Sequence, residues 1–342
     1  MRSFSFSDLA FSAFAVGILA GCSGSAGSAA RPFPLGASSD KSGIALAPRR
    51  LSVAAFSGRL TNTGRGVPRI HTDGGTTVWV TDAGNNAVYE CMEDCKPTGS
   101  LDPGSGSWSL PQGIAADAKG NVYIADTDNS RIVVLNKKGA QLAILSDPGQ
   151  YPAGVSVASD GLVGVTNILG VSGPANIVFY ANGSTTPTST ATGLLGAYYF
   201  GGFDEKGNFY NDGFDADGTV HIGVVRKGSS NDVDTGITGT AFPGGVEIDK
   251  GGNELNVLDQ SGLCVRVYEL TAGYPLTATV SLTGASDPVT FGFKKCGSTI
   301  WVADVGAGVA NEYKYPAGGS PLDEYTGFSE PIGAVAVPRG QF

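Results

Sequence analysis

A pattern that recurs along most of this chain constrains its fold more than any other feature. One copy reads Pro111-Gln112-Gly113-Ile114-Ala115-Ala116-Asp117, then Lys119-Gly120-Asn121-Val122-Tyr123-Ile124-Ala125-Asp126, then Arg131-Ile132-Val133-Val134-Leu135. These are three short runs rich in β-branched and aromatic residues, parted by Gly, Asn and Asp turns, as successive antiparallel strands read. Related openings stand at Pro68, Pro152, Tyr198, Pro243, Pro288 and Pro331, so the step is 41 to 46 residues. A fixed period of that length, with about four strands per unit, means the blades of a β-propeller. No 3.6-residue periodicity intervenes, which excludes a parallel α/β arrangement.

Composition agrees. Of 342 residues, 52 are Gly, and only 15% are charged, against roughly 25% in an ordinary domain. The apolar share of 41% excludes a disordered chain, which is apolar-poor and highly charged. The glycines lack the three-residue period of collagen, and there are no coiled-coil heptads. Several glycines fall at one place, two residues after the opening proline: Gly113, Gly154, Gly245 and Gly333. Such positions suit close backbone approach near a crowded axis.

The second repeat, with its P-x-G-I-A-x-D, G-N-V-Y-I-A-D and N-x-R-I elements, resembles the NHL repeats of β-propellers, and the resemblance extends over residues 65–340. It implies an all-β ring of antiparallel blades occupying residues 44–342. Six repeats hold complete inner, second and third runs, and the seventh inner run, 331–337, has no downstream partner. Pairing it with the β-like runs at 43–46 and 51–56 would build a composite blade from both termini and close the ring. Seven four-stranded blades are therefore expected. Six, the commoner number in propellers of this type, is the alternative.

The N-terminus carries an address. An apolar stretch from Leu9 to Ala20 is too short to span a bilayer and has the length of a signal-peptide core. It ends in Leu19-Ala20-Gly21-Cys22, which resembles the lipobox of bacterial lipoproteins. That resemblance implies a signal peptide over 1–21 and a lipid on Cys22. The small, polar run after Cys22 reads as a flexible linker, to residue 43. Ser23 after the cysteine resembles the outer-membrane sorting pattern of two-membrane bacteria. The expected location is thus the cell envelope, exported and lipid-anchored. A net charge of −9 argues against nucleic acid, whose binding rests on Lys and Arg against phosphate.

Few residues suggest chemistry. Asp82, Asp126, Asn167, Asp212, Asp259 and Asp304 recur at the end of the second run. Recurrence in every blade reads as turn-fixing by carboxylates that accept backbone N–H groups. Glu247 and His71 lie in inner runs and are candidate channel residues; Tyr198, Tyr199 and Trp108, at or before inner-strand starts, are candidates for an aromatic channel mouth. Gluconolactonase-like propellers hold a divalent metal in the channel, but their Glu-Gly-Pro opening is absent here. With only His71 and His221, the several histidines of a lyase-like zinc site are missing. Asp126-Thr127-Asp128-Asn129 and Asp215-Ala216-Asp217-Gly218 look like openings of calcium loops, yet neither reaches a twelfth-position Glu. Cys91 and Cys95 are close enough in sequence for a local disulfide in an oxidising compartment. Cys264 and Cys296 are expected toward opposite faces.

The expectation is a monomeric scaffold, anchored in the membrane through its lipid, that binds a protein or carbohydrate partner without a cofactor. The alternative is a metal-dependent lactonase- or lyase-like enzyme with its site around Glu247 and a divalent ion, calcium, in the channel.

Overall fold

The computed structural model describes residues 76–91, 100–170, 174–249, 251–294 and 297–338. Strands β1 (Thr76–Asp82) and β2 (Ala87–Cys91) begin the first blade. The second contains β3 (Pro111–Ala116), β4 (Val122–Asp126), β5 (Arg131–Leu135) and β6 (Gln141–Ser146). The third contains β7 (Gln150–Val157), β8 (Val163–Gly170), β9 (Asn176–Tyr180) and β10 (Ser189–Ala191). The fourth contains β11 (Ala197–Phe203), β12 (Phe209–Phe214), β13 (Val220–Val225) and β14 (Asp232–Asp234). The fifth contains β15 (Pro243–Ile248), β16 (Glu254–Asp259), β17 (Cys264–Glu269) and β18 (Leu276–Ser281). The sixth contains β19 (Pro288–Phe293), β20 (Thr299–Asp304), β21 (Val309–Lys314) and β22 (Asp323–Thr326), and β23 (Pro331–Pro338) follows.

Strand β23 returns to the first blade. It pairs antiparallel with β1, placing Val337 opposite Thr77 and Ala334 opposite Val80. The described residues thus form six sheets, five of four strands and one of three. Their inner strands touch in the closed order β23, β3, β7, β11, β15, β19 and back to β23. The ring has six blades, not the seven favoured from the repeat count. The run at 331–337 supplies the inner strand of the first repeat instead of opening a blade of its own. Seven openings therefore produce six blades. Closure by strands from the two ends of the chain is as expected, and it removes sheet edges. Residues 44–56 and 68–71, expected to contribute strands, lie outside the described residues, as do the signal peptide and the linker.

Prolines and glycines now have physical reasons. Inner strands open on an irregular register, between Pro111 and Ile114, Pro152 and Gly154, Pro243 and Val246, and Pro288 and Thr290. Proline has no N–H to give to a ladder and is tolerated where the ladder is already interrupted. Gly113 faces the next blade so closely that a Cβ would lie 2.5 Å from the Ala153 carbonyl oxygen and 2.8 Å from Gly154 Cα. Any side chain there would push two inner strands apart.

Between blades, second-strand aromatics fill the gaps. Trp79 is fully buried against Val122, Ile124 and Val133 of the second blade. Phe209 meets Phe179 of the third blade edge-on at 5.6 Å. Threonine hydroxyls tie neighbours near the axis: Thr127 donates to the Pro152 carbonyl at 2.7 Å, Thr166 to Tyr199 at 2.7 Å and Thr290 to Ile332 at 2.8 Å.

Two faces follow from the alternation of strand direction. The upper face carries the starts of the inner strands and the turns between second and third strands. The lower face carries the turns between first and second and between third and fourth strands.

Candidate functional site

On the upper face, the recurring second-strand acid is a clasp. Asp82 accepts the N–H groups of Ser329 and Glu330, both at 2.9 Å. Asp126 accepts that of Ser109 at 2.7 Å. Asp259 accepts those of Ala241 and Phe242 at 3.2 and 3.3 Å. Asp304 accepts those of Ser286 and Asp287 at 2.7 and 2.9 Å. Each carboxylate pins the loop that leads into an inner strand, as the recurrence predicts. Asp212 differs: it accepts Phe200 N–H within its own blade at 3.0 Å and Gly244 N–H of the next blade at 2.8 Å. Arg131 and Arg266 steady two of the clasps, on Asp126 at 2.7 Å and Asp259 at 3.1 Å.

The third blade lacks the clasp. There the β7–β8 ladder runs on as far as Gln150 opposite Gly170, so the incoming loop is already held by backbone pairing. Asn167 donates instead to Asn176 at 2.8 Å. Asn167 Oδ1, Asp147 Oδ2 and Gln150 Oε1 are buried without a partner among the described residues, and burial pushes the Asp147 carboxyl up to about 6.

Glu247 lies on the inner ring. It is the fifth residue of its strand, and its equivalents counted from the opening residue are Ala115, Ser156, Gly202, Gly292 and Val335. Gly202 abuts it so closely that a Cβ there would lie 3.3 Å from Glu247 Cα. The single ionisable group at this level therefore sits among small and apolar neighbours. It keeps some contact with solvent, yet burial alone pushes its carboxyl up to about 8. Such a group can exchange a proton near neutrality.

The aromatic candidates do not join it. Tyr198 is fully buried, and its hydroxyl accepts the Leu195 N–H at 3.4 Å. Tyr199 packs edge-on against Phe214 and Phe242 at 5.6 and 6.0 Å. Trp108 is buried with Trp79 and donates its Nε1–H to the Leu101 carbonyl at 2.7 Å. These three are packing residues: Tyr198 and Tyr199 turn off β11 into the apolar clusters beside it, and Trp108 folds in from the loop before β3. Tyr199 belongs to an apolar cluster that also takes Ala83, Phe242, Val289 and Ile332 from other blades. His71 lies outside the described residues, as do Cys22, Cys95 and Cys296. Cys91 and Cys264 are both disulfide-bonded. Among the described residues, no three His, Cys, Asp or Glu side chains are placed to hold a metal ion. The two calcium-loop lookalikes are occupied turns: Asp215 Oδ1, for one, accepts the N–H groups of Asp217 and Thr219 at 2.9 and 2.8 Å.

Two polar groupings escaped sequence reasoning. His221 lies between carboxylates, with Nδ1 3.0 Å from Asp234 and Nε2 3.0 Å from Asp215. Burial pulls its pKa down, but the bonds to Asp215 and Asp234 outweigh this and the net shift is upward. Asp232 is buried beside Asn211, whose Nδ2 donates to it at 2.9 Å, and burial raises its carboxyl to about 6. Gly223 makes room for it, since a Cβ there would lie 2.5 and 2.6 Å from the two Asp232 oxygens. A glycine inside a strand run was the available signal.

Two clefts, of about 560 and 550 Å³, open on the lower face. One lies between the fourth and fifth blades, lined by Glu205, Arg226, Glu269 and Tyr274. The other lies between the third and fourth, lined by Asp160, Asn182, Arg226 and Lys227. Arg226 thus stands on the ridge between them.

Residues 109–135 match the NHL repeat family. No curated protein sequence matches the chain. Among solved structures, it is similar to a chain in the crystal structure of a nidogen/laminin complex, with 13% identity and a TM-score of 0.60 over 77% of this chain and 98% of that one. It is also similar to a protein of unknown function from Bacteroides caccae, with 14% identity and a TM-score of 0.56 over 77% and 99% of the two chains. At such identities the likeness speaks for the fold.

Proposed function

This chain carries an NHL-like β-propeller, and we propose that it is the binding platform of an exported lipoprotein, anchored through Cys22 and presenting its upper face to a protein or carbohydrate partner. The observation that carries this reading is the set of carboxylate clasps. Asp82, Asp126, Asp259 and Asp304 fix the loops into inner strands in four of the six blades. Loops held in advance lose little freedom on binding, so less affinity is lost to ordering them. Support for the fold in such a role comes from the neighbour found in a nidogen/laminin complex, a protein assembled with another protein. Support for export comes from the disulfide-bonded Cys91 and Cys264, since disulfides persist in oxidising compartments.

The test is site-specific photo-crosslinking in the envelope of the producing cell, from Asp128 and Asp217 on the upper-face turns. A discrete adduct from these positions supports the platform; a scan of all six upper-face turns that yields none overturns it. Incorporation of a lipid precursor should disappear in Cys22→Ala, and persistent labelling refutes the anchor. The enzymatic reading draws on one observation, the raised carboxyl of Glu247 on the inner ring. A tightly held divalent ion in the purified protein, lost in Glu247→Gln, would favour it over the platform.

A further inference from the structure

The fourth blade departs from the repeat where it meets the fifth. Two residues before the clasp position, five blades carry a β-branched aliphatic residue: Val80, Ile124, Val165, Val257 and Val302. The fourth carries Tyr210. An aliphatic side chain serves the packing in every other blade, so the propeller itself does not require this ring. Tyr210 is buried and meets Tyr274 of the fifth blade nearly at right angles, with ring centroids 6.1 Å apart. Both tyrosines line the cleft between these two blades.

Tyr274 is held there against its backbone preference. Its φ is +45°, directly after Gly273 at +82°, in the left-handed region that L side chains enter at a penalty. The other non-glycine residues found there have places the repeat explains. Asn86, Ser130 and Leu263 each stand just before a third strand, and Leu110 just before an inner strand. Tyr274, in the turn between β17 and β18, has no counterpart among the described residues of the other blades. Strain of this kind persists where the surroundings enforce it, and it collects at binding sites. The cleft measures about 560 Å³, within the range of about 300–1,000 Å³ of small-molecule sites.

The rest of the wall is polar. Glu205, Lys206, Arg226 and Glu269 line it, all exposed and none ion-paired among the described residues. Two carboxylates and two cations leave no net charge, so neither a polyanion nor a polycation is favoured. Each still offers donors or acceptors to a ligand. The backbone that carries them is tied down: Asp204 accepts the Lys206 N–H at 3.0 Å, and Asn208 Oδ1 accepts that of Lys227, next to Arg226, at 3.1 Å. Loops fixed in advance lose little freedom on binding. We propose that this cleft binds a neutral carbohydrate, with its hydroxyls met by Glu205, Arg226 and Glu269 and one C–H face of a sugar ring laid on Tyr274. A tyrosine, apolar in body and polar at its tip, suits such an amphipathic ligand. The site is separate from the upper-face platform and depends neither on it nor on the lipid anchor.

The test titrates the purified full chain with maltotriose, cellotriose, mannotriose and chitotriose, read by saturation-transfer NMR and calorimetry. The expected result is saturable binding of at least one of them at millimolar or lower concentration. The double variant Arg226→Gln, Glu269→Gln should weaken it at least tenfold, and Lys119→Gln, in a lower-face turn of the second blade, should change it less than twofold. Tyr274→Gly separates site from scaffold. Glycine relieves the left-handed backbone, so this variant should melt no lower than the parent while binding falls at least tenfold. The double variant alters exposed side chains alone and so reads the site independently of any packing role of Tyr274. No binding across the panel, binding that survives either variant, or tighter binding of sulfated than of neutral trisaccharides overturns the proposal.

Discussion

Replacing Glu247 by Gln isolates the electrostatic cost of one carboxyl on the inner ring. In the unfolded chain the group titrates at its ordinary value of 4.5, and in the ring burial moves it up to about 8. Below about pH 4.5 it is protonated in both states and costs nothing. Between 4.5 and about 8 the folded ring binds the proton and the unfolded chain does not, so stability falls as pH rises. Above about 8 the full penalty is present. A tenfold change in proton affinity is about 1.4 kcal/mol, which sets an upper bound of about 5 kcal/mol. Solvent that reaches the side chain lowers this, and about 2 kcal/mol is the working figure. Glutamine has the same shape and no charge. Urea unfolding should therefore give nearly equal stabilities for the two proteins at pH 5 and a more stable variant at pH 9, by about 2 kcal/mol. A gap independent of pH, or a variant less stable at pH 9, would refute the placement of an isolated carboxyl among small neighbours. A cation resident on Glu247 would reverse the sign, because the variant would then lose its ligand.

Other perturbations separate the structural devices. Gly113→Val drives a side chain into the Ala153 carbonyl and should cost about 3 kcal/mol or prevent ring closure, read by thermal melting; a melt unchanged within 1 °C would contradict the close approach. Asp304→Ala removes the acceptor of the Ser286, Asp287 and Ala307 N–H groups and should cost about 2 to 3 kcal/mol. Asn167→Ala, at the blade without a clasp, should cost clearly less, and equal losses in denaturant titrations would sink the distinction. His221→Gln should destabilise most below pH 6.5. Its effect should fade as pH rises through the raised folded value, because the stabilisation belongs to the protonated ring between Asp215 and Asp234; melts at pH 6 and 9 decide this.

Much of the architecture was readable because it repeats. The proline at the bulge, the glycine two residues on and the acid after the second run recur in most blades because the same geometry asks for them, with Tyr198, Phe200, Thr290 and Asn167 as the departures. Blade number was not readable in the same way. The inner run at 331–337 looks like the start of a unit, and only its pairing with β1 shows that it completes the first one. Position alone also misjudged the aromatics: Tyr198 and Trp108 stand where a channel mouth would be, but their rings turn into the gaps between blades.

Glu247 was legible as a residue out of keeping with its run, and the reason lies in the ring. A carboxyl on the inner strand is unremarkable if its equivalents are polar. Here they are Ala115, Ser156, Gly202, Gly292 and Val335, which offer one hydroxyl and no charge. That comparison needs the bulge register, because the position is counted across an irregular ladder in each blade. The placing of the lysine-glycine turns has the same character. Lys119-Gly120, Lys138-Gly139, Lys206-Gly207 and Lys227-Gly228 are ordinary turn sequences when read one at a time. The alternation of strand direction puts all four on one side of the molecule.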